Sequence, residues 1–246
     1  MEKLTLKKAI AESGKVSLGN TKMPSTTFAI SAKACKVGAK LVNVKGSTCS
    51  RCYALKLQNL RPSVDQGWTN NLLKAEKLIS DNPKLWAKQM AFQIKRGCDK
   101  LNIHEHRWFD SGDLQSIEML HAIVLCANET PHIRHWLPTR EAKIVKEYRK
   151  LYGNEPDNLV IRVSATMIGD KPISGHVNTS TVHRHGETVH GKECLAYRTN
   201  KESIVVDLGT FKAMTREQKK EQDFGHCGDC RACWSKDVSN ISYPLH

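Results

Sequence analysis

The sequence predicts an α/β fold with mostly parallel strands, and two observations carry that prediction. Strand-like and helix-like segments alternate between residues 106 and 163 at the period of βαβ units, and each strand-like run ends in a cluster of polar residues. The chain has 246 residues, no internal repeat and no low-complexity tail, so we read 1–246 as a single domain.

The first eight residues, Met-Glu-Lys-Leu-Thr-Leu-Lys-Lys, read as a short amphipathic helix that gives way to Gly14. Residues 25–31 hold β-branched and aromatic side chains and read as a short strand ending near Ile30. Residues 68–97 are helical in pattern. Thr69 is a plausible cap for a segment running to Ser80, Pro83 sits in the first turn of a second, and Trp86, Met90 and Ile94 form one core-facing stripe. Cys98 and Cys126 lie on apolar helix surfaces and read as packing residues.

Residues 106–110 read as a strand ending in Asp110-Ser111-Gly112-Asp113, with a helix carrying Leu114, Ile117, Leu120 and Val124 directly after it. Residues 133–137 form a second strand. It ends in Pro138-Thr139-Arg140 and is followed by a helix carrying Ile144, Val145, Tyr148 and Leu151 that stops at Gly153. Residues 159–163 form a third, leading to Ser164-Ala165-Thr166. This spacing means parallel strands joined by right-handed crossovers, whose ligands bind at the carboxyl ends. Asp110, Ser111, Asp113, Thr139, Arg140, Ser164 and Thr166 are therefore expected on one rim, with helix capping as the alternative role for Ser111, Asp113 and Thr139. Beyond Thr166, a Gly/Pro/Ser/Thr-rich stretch carries His176, His183, His185 and His190. Histidines this dense suit metal, yet a solvated loop is the favoured reading because it offers no fixed ligand geometry. Residues 203–207 are a candidate strand and residues 214–222 a strongly charged helix.

The cysteines carry the chemistry. Near the C-terminus, Cys227-Gly-Asp-Cys230-Arg-Ala-Cys233-Trp234 places thiols at i, i+3 and i+6, the first part of a ferredoxin-type run of iron–sulfur ligands, with Cys194 the nearest candidate for a fourth. Zinc is the alternative, although mononuclear zinc sites normally take separated pairs of ligands. Earlier, Cys35 lies thirteen residues before Cys49, which opens Cys49-Ser-Arg-Cys52; iron–sulfur ligation, zinc and a redox dithiol all fit a C-x-x-C pair.

Nine cysteines without a secretory hydrophobic region argue for a reducing cytoplasm, and the longest apolar run, residues 122–127, is too short to span a bilayer, so no membrane role is indicated. The formal charge is +13 with cysteines counted as neutral. A four-iron cluster contributes about −1 with three thiolates and about −2 with four, so two clusters would leave about +10. That surplus favours a polyanionic partner such as nucleic acid, or an anionic substrate, with a solvated basic surface as the plain alternative.

Together these pieces resemble a bacteriophage family, the gene-product-eighty-eight domain family, over roughly residues 26–234. The matching parts are Cys35, Cys49 and Cys52-Tyr53-Ala54, then Phe109-Asp110-Ser111-Gly112-Asp113, Val163-Ser164-Ala165-Thr166, and Cys194 with Cys227, Cys230, Cys233 and Trp234. The resemblance implies an iron–sulfur protein of viral origin, working in the host cytoplasm. More distantly the order of parts is similar to that of radical S-adenosylmethionine enzymes, which build a partial (β/α) barrel with a three-cysteine cluster loop after the first strand. Ser111-Gly112-Asp113 stands where those enzymes hold the amino group of S-adenosylmethionine, while their compact cysteine loop is replaced by Cys35-x13-Cys49-x2-Cys52.

The expected ligands are thus Cys35, Cys49 and Cys52 for a reactive or substrate-binding [4Fe-4S] cluster, and Cys194, Cys227, Cys230 and Cys233 for a closed one within a C-terminal segment, residues 194–234. Cooperation of all seven in one cluster is the alternative. The functional expectation is a redox or radical-type enzyme acting on a phosphorylated, nucleotide-containing or other anionic small molecule. In it Asp110 and Asp113 orient an amine or ribose and Arg140 a carboxylate or phosphate. The opposing expectation is a non-catalytic, cluster- or zinc-stabilised accessory protein that binds nucleic acid.

Overall fold

A computed structural model describes residues 4–245. Seven strands form one sheet in the order β1-β2-β3-β4-β5-β7-β6. They are β1 (Thr26–Phe28), β2 (Glu105–Trp108), β3 (Arg134–Thr139), β4 (Leu159–Ser164), β5 (Thr179–His183), β6 (Lys192–Glu193) and β7 (Asn240–Pro244). Every pairing is parallel. The first five strands lie side by side in chain order, the arrangement of a partial α/β barrel, because successive right-handed crossovers keep the connecting helices on one face.

The helices are α1 (Leu6–Ser13), α2 (Lys36–Leu41), α3 (Tyr53–Leu60), α4 (Pro62–Asp81), α5 (Pro83–Leu101), α6 (Ile117–Asn128), α7 (Ala142–Tyr152), α8 (Leu208–Ala213) and α9 (Arg216–Glu221). On the helix-facing side of the sheet Phe28, Trp108, Leu137, Ile161 and Val163 pack with Trp86, Met90 and Ile94 of α5 and Leu120 and Ile123 of α6. Phe28, Trp86 and Trp108 form its aromatic centre, with ring centroids 5.9–6.1 Å apart. Cys98 and Cys126 are buried in this core, as expected.

The opposite, concave face is polar. Strand register sets Thr27 beside Arg107, Arg107 beside Trp136 and Trp136 beside Val160, and alternation puts Arg162 on the same face. Pro138 stands inside β3 without breaking the sheet. Arg134 N bonds toward β2 (His104 O, 2.7 Å) and His135 N toward β4 (Asn158 O, 2.6 Å), so Pro138 points to the β2 side, where pairing has already ended at Trp136.

Several expectations need correction. Thr69 lies inside α4, which begins at Pro62 with proline at the first helical position and Asp65 in the first turn. The helix after β2 starts at Ile117, capped by Ser116, so Leu114 is a buried loop residue. Leu151 is exposed. Residues 203–207 are not a strand: Val205 makes an isolated bridge to Thr199, and Asp207 caps α8. The histidine-rich stretch is not all loop, since it contains β5, where His183 is buried and its Nδ1 pairs with Ser242 Oγ at 2.7 Å. The first helix is α1, later than expected, and residues 1–3 of the expected segment lie outside the described residues.

Gly112 fixes how β1 meets the turn after β2. Its φ is +82°, and a Cβ there would stand 2.3 Å from Ile30 Cγ1 and 2.8 Å from Ile30 O. Gly112→Ala is expected to destabilise the protein by about 2–4 kcal/mol, combining a left-handed backbone cost with overpacking, as read from urea unfolding midpoints at unchanged m-value.

Candidate metal centres

The cysteine loop after β1 is tied to the carboxyl ends of β2, β3 and β4. Tyr53 Oη donates to Asp110 O (2.5 Å), and Val37 N donates to Glu141 Oε1 (2.8 Å). Thr48 N donates to Thr166 O at 2.9 Å, and its hydroxyl approaches Ala165 O and Thr166 O. Arg140 clamps the loop through Nε and Nη2, both on Thr48 Oγ1 at 3.1 and 2.9 Å. Within it Cys35 precedes α2, and Cys52 caps α3, its sulfur accepting from Leu55 N at 3.4 Å. Cys35 and Cys49 both flank Gly38: a Cβ there would lie 3.8 and 3.6 Å from their sulfurs.

Burial, then the charges of Asp113, Cys52 and Cys49, pushes the Cys35 thiol up to about 12. Burial also raises Cys49, against the opposing pull of Arg140. The three thiols, Asp113 and Arg140 thus share one electrostatic neighbourhood.

Asp113 organises that neighbourhood. Its Oδ1 accepts from Leu114 N (2.7 Å) and Thr139 Oγ1 (2.6 Å), and its Oδ2 from Arg140 N (3.0 Å). Its carboxylate is therefore engaged in joining the ends of β2 and β3. Ser111, Asp113 and Thr139 do not cap helices in the expected way: Ser116 caps α6, and Thr139 Oγ1 instead accepts from Glu141 N. Among the described residues Asp110 Oδ1 and Ser111 Oγ have no hydrogen-bond partner, and Ser164 Oγ accepts from Ser180 Oγ at 3.0 Å.

The C-terminal thiols gather on the concave side of the sheet. Cys194 follows β6, its N–H donating to Ser242 O at 2.9 Å, and Cys227 N donates to Lys22 O at 2.8 Å. Cys233 Sγ lies 3.3 Å from Tyr243 Oη. Burial, and next to it the charges of Cys233, Cys227 and Cys230, pushes Cys194 up to about 12 against a backbone hydrogen bond from Ala196. Burial with Cys233 and Cys230 raises Cys227 to about 11. Buried Tyr243, beside Cys233 and Cys194, is raised well above the usual phenol range. The charges of Cys227, Cys230 and Cys233 all act on Cys194, whereas Cys98 and Cys126 are buried in the core. Among the described residues no three His, Cys, Asp or Glu side chains converge tightly enough to hold a single metal ion.

Sequence reasoning missed the arginines and aromatic residues of the concave face. Arg107 lies 4.8 Å over the Trp136 ring, and its charge acts on Tyr53 and Asp110 at the rim and on Cys227 and Cys233 below. Tyr53 is 63 % exposed; surrounding protein, with Asp110 and Cys52, raises its phenol above the usual range against the pull of Arg107. The available signal was the presence of Arg107 and Arg162 inside strands of a parallel sheet, where apolar residues are the rule.

Burial raises Asp113 from 3.8 to about 6. The folded state therefore keeps this proton over the window where the unfolded chain releases it, and the favourable contribution is lost as pH rises from 3.8 to about 6. In the metal-free protein the stability of wild type relative to Asp113→Asn should fall by about 3 kcal/mol between pH 3 and pH 7, as measured by denaturant titration.

The model of the family described as Gene product 88 matches residues 2–236, and the chain belongs to that family. Neither the curated proteins nor the solved structures give a match to it.

Proposed function

We propose that this member of the Gene product 88 family is an iron–sulfur protein with two [4Fe-4S] clusters, the first held by Cys35, Cys49 and Cys52 and the second by Cys194, Cys227, Cys230 and Cys233. The observation that carries the reading is the gathering of seven of nine cysteines into two separate polar sites, with the other two in the core. The donor set fits the group. Both sets consist of thiols alone, three in one and four in the other, and cysteine thiolates are the usual ligands of iron–sulfur clusters. Arg107 and Arg162 beside the second set supply positive charge where the cluster is negative.

A cluster supplies single electrons, and one with an iron free of protein ligands also binds and polarises a small molecule. We assign the open role to the three-cysteine site and a redox or radical-type reaction on an anionic or nucleotide-containing substrate to the adjoining rim of the sheet. Tyr53, Asp110 and Arg107 are the side chains placed to meet that substrate. S-adenosylmethionine is the first ligand to test. Asp113 is buried and already accepts three hydrogen bonds, so Asp110, whose Oδ1 has no partner among the described residues, becomes the carboxylate for an amine. The reducing host cytoplasm is the compartment we assign; no described helix is long and apolar enough to cross a membrane.

A second reading, a non-catalytic nucleic-acid-binding accessory protein, has one specific support. Lys88, Lys95, Arg96 and Lys100 of α5 line a surface groove of about 800 Å³ that also contains Asp99 and Glu129. Such binding would weaken steeply with salt.

Anaerobically isolated protein should carry about eight irons and eight sulfides per chain, as two four-iron clusters require. Cys230→Ser should lose about half of that iron and Cys98→Ala none; zinc in place of iron, or equal loss in both variants, refutes the assignment. Adding S-adenosylmethionine to the reduced protein should alter its low-temperature paramagnetic signal, and Asp110→Ala should blunt the response more than Arg140→Ala. An unchanged signal in the wild type would make the three-cysteine cluster a closed one.

A further inference from the structure

A cavity of about 370 Å³ opens beside the cysteine loop, lined by Lys45, Ser50, Arg51, Ile168, Arg184 and Leu245 among others. Its place in the fold follows from those residues. Ser50 and Arg51 lie between Cys49 and Cys52, Ile168 follows β4, Arg184 follows β5 and Leu245 follows β7. The cavity therefore shares the carboxyl rim with the three-cysteine site but sits over the later strands. Backbone bonds from Ile168 N to Gly46 O (2.9 Å) and from Leu245 N to His183 O (2.8 Å) brace two of its sides.

Among the described residues, three cations line this recess and no carboxylate does. Arg184 is already balanced by Glu187, at 3.1 Å. Lys45 and Arg51 have no ion pair or side-chain hydrogen bond among the described residues. Two uncompensated charges of one sign in the same recess repel each other, and an oxyanion between them turns that repulsion into attraction. Arginine presents donors in the planar fork that suits phosphate oxygens, lysine adds a point charge, and the volume falls in the range of small-molecule sites. Arg140, the residue the sequence suggested for an anion, has its Nε and Nη2 directed to Thr48.

We infer that this cavity binds the phosphate end of a phosphorylated small molecule, whose other end reaches the Cys35, Cys49 and Cys52 site. The inference deepens the proposed function by naming the substrate class and where its anionic group docks, and it rests on that reading for the role of the neighbouring thiols.

Isothermal titration calorimetry with inorganic pyrophosphate, on anaerobically purified protein of measured iron content, tests it. Saturable binding at one site is expected, weakened about tenfold or more by Arg51→Ala and by Lys45→Ala, with thermal melting unchanged because both side chains are exposed. Glu187→Gln should tighten binding by freeing Arg184. Lys95→Ala, in the α5 groove, should leave it unchanged. No saturable binding by the iron-loaded protein overturns the inference alone, and so does equal weakening by Lys95→Ala and Arg51→Ala, which would indicate diffuse attraction to a basic surface. Iron-free protein that binds pyrophosphate with this pattern of variants upholds the phosphate site and refutes the cluster reading.

Discussion

The buried guanidinium of Arg162 is the interaction on which the concave side of the sheet depends. It is fully buried in β4 and donates to five backbone carbonyls: Ser235 O (2.7 Å), Val238 O (2.8 Å), Ala232 O (2.9 Å), Cys233 O (3.1 Å) and Thr179 O (3.4 Å). No carboxylate pairs with it among the described residues, so carbonyl dipoles alone satisfy its donors. A cation in this position would be expensive to desolvate unless its hydrogen bonds were complete and negative charge lay near. Four of its five acceptors belong to the segment that carries Cys233 and leads into β7, which makes Arg162 the anchor of the C-terminal thiols. Trp234 completes the attachment, its Nε1 donating to His106 O at 2.9 Å and its ring edge-on to Trp136 at 5.4 Å.

With that segment in place, the concave face is divided. The rim site is built on loops after β1–β4, and the second thiol set lies against β5, β7 and β6. Arg107 stands between them, close enough for its charge to act on both. A half-buried arginine that lies over Trp136 and whose Nε has no hydrogen-bond partner among the described residues is poised for negative charge from either side. The geometry thereby joins two sites that are more than 130 residues apart in sequence.

Much of this was legible in the sequence, for identifiable reasons. The strands at 106–110, 133–137 and 159–163 could be read because each is a short apolar run ended by polar residues and followed by a helical stripe. Their parallel order and common rim followed from spacing alone. The grouping of Asp113, Thr139 and Arg140 at that rim is present, but their chemistry was hidden, because whether a carboxylate is free or spoken for depends on donors that no pattern reveals. β5 and β7 were missed for another reason. Thr179-Ser-Thr-Val-His183 and Asn240-Ile-Ser-Tyr-Pro244 are polar, and their stability comes from cross-strand pairs such as Thr179–Asn240 and His183–Ser242, which are distant in sequence. β6 is only two residues long, too short for any period to register.

The strand order β5-β7-β6 has a consequence for how the molecule is made. β6 carries Cys194 into place yet pairs with β7 alone, and β7 is formed by residues 240–244. During synthesis the chain bearing Cys194 has no strand neighbour until roughly fifty more residues have been added, a delay of several seconds at bacterial translation rates. The rim half, β1 to β4, can assemble as it emerges, with its three thiols already in their loop. The second thiol set can close only after β7 slides between strands that precede it in sequence. Assembly of the two thiol groups is therefore ordered in time by topology: the rim loop can be in place while the C-terminal set still waits for the last strand.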